Sequence, residues 1–560
     1  MPRPFPEYSV PQPDLEESRA AYQAFHDRLE NADSAETCRE IVRDWDRELC
    51  RFNEWAAVVE IRFHQDTKNV AFQAEKDQLD QIAPKFADLE TRFKQVLLDS
   101  PFRKELEVDL TTVLFAKWNC HTKSFSPAIE DDLAREAKLE SQHTALTGGA
   151  EIEFRGEALT LSELEKFADD ADREVREASC RARSVWFSEH APELDRIYDE
   201  QVALRHSMAE KLGYSTFVEL GYQRMTRIGY GPKEVATFRE EVRDQVVPLA
   251  QEIAEKQRAT LGVETLMFWD RSVHQKGGNP KPLGDHDWMV DRAAEMFREM
   301  GYGLDTFFAE MIEREAMYLK SRKGKAGGGF CEFLHGFGFP FIFANFNGTR
   351  ADVDVFTHEM GHAFQSYSSR HLPMSDLVWP TTEACEIHSM GLEFLTWPHM
   401  DKFYGEEAAE ELRRVHLSSY LHFLPYGVSI DHFQHMVYDH PEASPEDRNA
   451  MWQEIEATYL PWWKYDDLPA ESSGRLWQQK QHIFQCPFYY IDYCLAATGA
   501  LQFWSRSRTD PAEALGAYAE LCVLGGSKAY GGLLESAGLR SPFEAGCLYE
   551  VVTEAKGYLG

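Results

Sequence analysis

The sequence has no C-x-x-C pair among its ten cysteines, which are scattered from Cys38 to Cys547. That spacing excludes a zinc ribbon and a thioredoxin-like redox site and favours reduced, mostly buried thiols. Basic residues are in deficit. A formal charge of −35 argues against a nucleic-acid partner, whose phosphates require a cationic surface. The same charge favours approach of cationic ligands such as metal ions and peptide amino termini. Long apolar runs are missing too: the stretch Phe333–Thr349 carries no charge but is too short and too rich in Gly and Asn to cross a bilayer. The opening "MPRPFPEYSVPQPDL" is Pro-rich and lacks the apolar core of a secretory signal, so a cytoplasmic protein with no membrane partner is expected. Gly327–Gly329 belong to neither a Walker loop nor a G-x-G-x-x-G turn, and read as a turn leading into a small sheet. No internal repeat or low-complexity segment is present.

What is there is a large globular chain of 560 residues, 43% hydrophobic and 27% charged, enough for an extensive core. Long amphipathic helices are expected from Leu15 to about Leu106, with Asp33 as an N-cap and Glu36 three residues on. Near Glu151–Phe154 an alternating segment, a turn at Arg155–Gly156 and a helix capped by Ser162 with Glu165 break the pattern. The spacing predicts short strands near Phe330–Leu334 and Pro340–Asn345, followed by a helix, and helices return from Glu383 onward. The divisions expected are 1–150, 151–325 and a catalytic region 326–560, integrated into one unit.

The stretch "DVFTHEMGHAFQ" carries the chemistry. His358 and His362, four apart, project over one helix face and can reach one ion, while Glu359 beside the first of them can contact a water bound to that ion. Two further E-x-x-H matches, Glu140–His143 and Glu332–His335, carry no chemistry on that basis. A catalytic zinc takes three protein ligands and leaves one position open. By spacing alone the third is Glu383 or Glu386 in "EACEIHSMGLEFL", with His371 and His388 as further candidates.

Three stretches, "FTHEMGHAFQ", "TEACEIHSMGLEF" and "HIFQCPFYYIDY", resemble the thimet oligopeptidase and oligoendopeptidase F zinc peptidases, most closely their bacterial PZ-peptidase-like branch. Weaker likenesses in "DADREVREA" and "KLGYSTFVELGYQRM" extend the resemblance over most of the chain from about residue 150. It implies Glu386 as the third ligand, one Zn²⁺ per chain, and a mainly α, elongated, two-lobed fold with a deep central channel and a small sheet beside the metal helix. It also implies that a His and two Tyr stabilise the oxyanion. Here these are His482 with Tyr490 and Tyr493, and Tyr489 is the alternative. The activity implied is hydrolysis of internal bonds of short peptides, with Glu359 as general base and no covalent intermediate at Cys331, Cys385 or Cys486. An edge strand should pair with the extended substrate, and "PFIFANF" is the candidate. Two other readings are a helical di-iron carboxylate protein, which needs a second paired E-x-x-H, and an inactive peptide-binding relative, against which intact Glu359 argues.

Overall fold

The computed structural model describes residues 4–322 and 324–560. The chain is mainly α, and no described helix is long and apolar enough to cross a membrane. Its strands are β1 (Ile152–Phe154), β2 (Glu157–Leu159), β3 (Met317–Lys320), β4 (Phe330–Leu334) and β5 (Phe339–Phe346). Two compact units are present, each built from three separated stretches. The first comprises Met1–Lys123, Lys281–Glu407 and Gly499–Arg540, and the second Ser124–Pro280, Ala408–Thr498 and Ser541–Gly560.

In the first unit the helices Leu15–Glu30, Ala35–Gln65, Val70–Leu98 and Thr112–Lys123 bury one apolar stripe each. Trp45 sits at the centre of that core, against Phe93 and edge-on to Trp118. The helix Ala35–Gln65 is capped by Ser34, whose Oγ accepts from the Thr37 N–H at 3.3 Å, and not by Asp33. Both residue types cap equally well, and the extended backbone at Ser34 decides between them.

The sheet has the order β3-β5-β4, with β3 parallel and β4 antiparallel to β5. This corrects the expected role of "PFIFANF". That segment is β5, the central strand, paired on both sides and buried along nearly its whole length, so it offers no edge to a peptide. The edges are β3 and β4. One face of the sheet meets helix Arg350–Ser369, where Phe346 packs edge-on to Phe356, and the other meets helix Ala35–Gln65 through His64 and Phe343. Glu54, buried in that second helix, accepts from the N–H groups of Gly336 and Phe337 and so holds the β4–β5 turn.

Helix Arg350–Ser369, which carries the metal motif, packs on helix Thr382–Leu395. Their crossing is backbone on backbone: a Cβ at Gly361 would lie 2.4 Å from the His388 carbonyl oxygen and 2.6 Å from the Ser389 Cα. Helix Pro511–Leu524 backs the second helix, and the Tyr518 hydroxyl donates to that same His388 carbonyl at 2.9 Å.

The second unit holds the hairpin β1–β2, turned at Arg155 and Gly156, both at positive φ. The helix after it starts at a capping box of Thr160 and Glu163, two residues before the expected Ser162, because β2 ends at Leu159 and leaves Thr160 in the extended cap position. The 39-residue helix Arg173–Lys211 runs through the core of this unit. There the buried Arg205 guanidinium reaches Glu136 (2.6 Å), the Tyr438 hydroxyl and the Phe484 carbonyl, a set of partners that offsets the cost of burying its charge.

The Gly361 contact predicts a sharp contrast between glycines. Gly361→Ala should lose about 2 kcal/mol or more of stability, since the added methyl meets backbone that has no rotamer to yield. Gly531→Ala, in a helix where nothing lies within 4 Å, should be neutral or stabilise by up to about 1 kcal/mol. Urea denaturation of the two variants measures both, and similar midpoints would contradict the crossing.

Candidate metal centre

Asp352 anchors the start of the motif helix by accepting from the Asn347 N–H at 3.0 Å and the Gly348 N–H at 2.6 Å. Two turns on, His358 and His362 present their Nε2 atoms to one oxygen, Oε2 of Glu386, at 3.3 and 3.5 Å. The three ligating atoms lie within 4.8 Å of one another, and no other cluster of three such side chains occurs among the described residues. The other candidates for a third ligand point elsewhere. Glu383 is fully buried and accepts from Thr381 Oγ1 at 3.0 Å. His388 bonds the Ala384 carbonyl through Nδ1, and burial lowers its pKa to about 4. His371 is exposed and bonds the Ser368 carbonyl.

A carboxylate that the motifs did not single out completes the surroundings. Glu393, seven residues after Glu386 and therefore on the same helix face, lies 2.7 Å from His358 Nδ1. That bond suits a proton on Nδ1 and turns Nε2 towards the cluster, the orientation of a ligating imidazole. Ser389 Oγ donates to Glu386 Oε2 at 2.9 Å and fixes that carboxylate in turn. The donor set of two imidazoles and one carboxylate, with His358 and Glu386 each held by a further hydrogen bond, fits a divalent transition metal.

Electrostatics separate the two glutamates. Burial alone would raise the Glu386 carboxyl, but His362 and His358 outweigh it and hold the group well below the usual carboxylate range. Glu359 is raised, because burial dominates and the two imidazoles offset it only in part. Its Oε2 is buried without a hydrogen-bond partner, and its Oε1 lies 3.2 Å from where a Cβ on Gly329 would stand. The glycine run before β4 thus leaves room for the Glu359 carboxylate.

His482, Tyr489, Tyr490 and Tyr493 are gathered in the second unit. The His482 ring centroid is 5.1 Å from Tyr490, 5.7 Å from Tyr489 and 6.2 Å from Tyr493. Tyr490 is buried, and its hydroxyl accepts from Lys480 Nζ at 3.1 Å. Burial pushes its pKa up to about 12, with Lys480 opposing. Tyr489, Tyr493 and His482 are half-buried. Lys480, two residues before His482, gives no signal in the sequence, because a lone Lys reads as surface.

Two family models match the chain: the Peptidase M3 N-terminal domain over residues 5–125, and Peptidase family M3 over 166–283 and 305–552. Among solved structures the chain is similar to PZ peptidase A with an inhibitor, at 42% identity and TM-score 0.95, covering 99% of each chain. A putative oligoendopeptidase F is similar at 42% identity and TM-score 0.95, covering 100% of this chain and 98% of that one. A putative oligoendopeptidase F from Bacillus anthracis shares 41% identity at TM-score 0.90, covering 99% of this chain and 98% of that one. Among curated proteins none matches the chain. The chain, with its mainly α fold and its His-His-Glu cluster, belongs to peptidase family M3 and is a metallo-endopeptidase.

Proposed function

We propose that the protein is a cytoplasmic zinc oligoendopeptidase that hydrolyses internal bonds of short peptides, with His358, His362 and Glu386 as ligands to one Zn²⁺ and Glu359 as general base. The observation that carries this reading is the convergence of both imidazole Nε2 atoms on Glu386 Oε2, beside a buried carboxylate with an unpartnered oxygen. Two imidazoles and a carboxylate are a common zinc set, and zinc bound there would lower the pKa of a water towards about 7 and polarise the scissile carbonyl. The chain's own residues do the rest. Glu359, raised by burial, takes a proton from the attacking water and delivers it to the leaving nitrogen. Glu393 and Ser389 hold His358 and Glu386 in place. His482 and the half-buried Tyr493, or Tyr489, donate to the developing oxyanion, while Tyr490 is anchored on Lys480. Ten free thiols are in keeping with a reducing compartment.

The peptide backbone is proposed to lie along β4, which pairs with a neighbour on one side only and follows directly on Gly329, against Glu359. A folded protein would have to open at a cost of about 5–15 kcal/mol to present such a strand, whereas a short peptide presents it at no such cost.

Four variants test the roles. Glu359→Gln should keep its metal and lose at least about 100-fold in kcat. Near-normal turnover would remove Glu359 as the base. Glu386→Ala should purify without metal by elemental analysis while Glu383→Ala retains it, and the reverse result would move the ligand one turn upstream. Glu393→Gln should weaken metal affinity by about 10- to 100-fold in a chelator competition, because it releases the tautomer of His358.

A further inference from the structure

A groove of about 540 Å³ opens between β4, the helices Ala35–Gln65 and Val70–Leu98, and the turn Ser375–Trp379. Phe330, Phe333 and Trp379 contribute aromatic walls, and Glu60, Asp80, Glu332 and Asp376 contribute carboxylates. The charges do not balance. Glu60 and Asp80 share a single ammonium, that of Lys76. Asp376 is taken by Trp118 Nε1 at 2.8 Å and by Lys94 at 3.5 Å. Lys117, the lysine lining the groove, spends its Nζ on the carbonyls of Asp376 and Trp379. Burial lowers the pKa of His335. Glu332 is half-buried and has no cationic partner among the described residues. Its one bonded neighbour is the backbone of Phe333, and burial together with Glu54 and Glu60 raises it to about 7. A carboxylate held among aromatic rings beside other acids is a site prepared for a cation.

The groove adjoins the catalytic cluster within the same unit. The Trp379 ring that lines it stands 6.3 Å from the His362 ring, and Phe330 follows Gly329, which abuts Glu359. We propose that this groove recognises a cationic group of the peptide substrate, an arginine or lysine side chain or a free α-ammonium, with Glu332 as its counter-ion. The assignment rests on the peptidase reading and on β4 as the strand that receives the peptide. It adds a substrate class: peptides bearing a positive charge near the scissile bond.

The test uses peptides of one length that differ only in arginine or its uncharged isostere citrulline at successive positions, each with a free or acetylated amino terminus. Wild-type enzyme should favour the charged member of one such pair by about tenfold or more in kcat/KM, chiefly through KM. A preference for arginine at one internal position identifies a side chain as the ligand, and a preference for the free terminus identifies the α-ammonium. Glu332→Gln should erase that preference, and Glu332→Lys should reverse it in favour of a glutamate peptide. Calorimetric titration of the same peptides into Glu359→Gln reads the groove without turnover, so loss of cleavage and loss of charge recognition are told apart. Equal affinity for arginine and citrulline peptides with either terminus, or a preference that survives Glu332→Gln, overturns the proposal.

Discussion

The contact at Gly361 is the constraint on which the centre depends. Two of the proposed ligands, His358 and His362, stand on one helix and the third, Glu386, on another, and a carboxylate side chain reaches only a few ångströms. Glu386 can meet both imidazoles only if the helix axes approach until backbone touches backbone, and a hydrogen atom at position 361 is all the crossing admits. The second helix is pressed into that crossing from behind. Ile387 packs on Gly499, and Tyr518 donates to the carbonyl that Gly361 faces. The closeness that brings Glu386 into range also brings Glu393 to His358, since the two glutamates share a face seven residues apart. One small residue therefore sets both the ligand geometry and the imidazole tautomer.

The electrostatic consequence is a pocket of concentrated negative charge. Glu359, Glu386 and Glu393 are all buried around two imidazoles. Burial alone would push the His358 pKa down, yet it stands well above its usual value, because Glu386 and Glu393 flank its two nitrogens. A field that favours an imidazolium so strongly favours any cation at the same spot, and a divalent ion matches it better than a proton does. Glu359 differs from its neighbours in having no such partner for Oε2. The same cluster thus holds two carboxylates shifted in opposite directions, Glu386 down and Glu359 up, by environment alone.

How much of this could be read from the sequence follows the range of each interaction. The pairing of His358 with His362 is set by helical periodicity over four residues, so it was legible at once. Glu393 obeys the same periodicity, but only the crossing of the two helices brings it to His358, and nothing in its own neighbourhood marks that contact. Caps came out one or two residues adrift at Ser34 and Thr160, where neighbouring residues of equal capping power compete. The role of Phe339–Phe346 was misjudged for a different reason. Whether a strand is central or at an edge depends on a partner elsewhere in the chain, and β3 is four residues of "MYLK" shortly after the helix Leu304–Glu313, with too little alternation to announce itself. The near-continuous burial of β5 was the available signal, since a strand covered on both faces reads as an unbroken apolar run.

The N-terminal helices contribute nothing to the His358–His362–Glu386 cluster among the described residues, yet they help determine where that cluster stands. The link between the helices Arg350–Ser369 and Thr382–Leu395, residues 370–381, has little regular structure of its own and must be held from outside. Lys117 donates to the carbonyls of Asp376 and Trp379, Trp118 to the Asp376 carboxylate, and the Ser375 hydroxyl bonds Asp46 at 2.6 Å. From the other side Gln365 and Ser369 converge on the Val378 carbonyl, and Gly525 and Gly526 let the chain pass close to the Leu377 and Trp379 carbonyls. Burial lowers the pKa of Lys117, a cost accepted for an ammonium that closes two otherwise orphaned backbone groups. Trp379, fixed in this way, rests against His362. The order of the His358–His362–Glu386 cluster is therefore written partly in residues more than 200 positions away, on helices whose own sequence shows nothing but amphipathic periodicity.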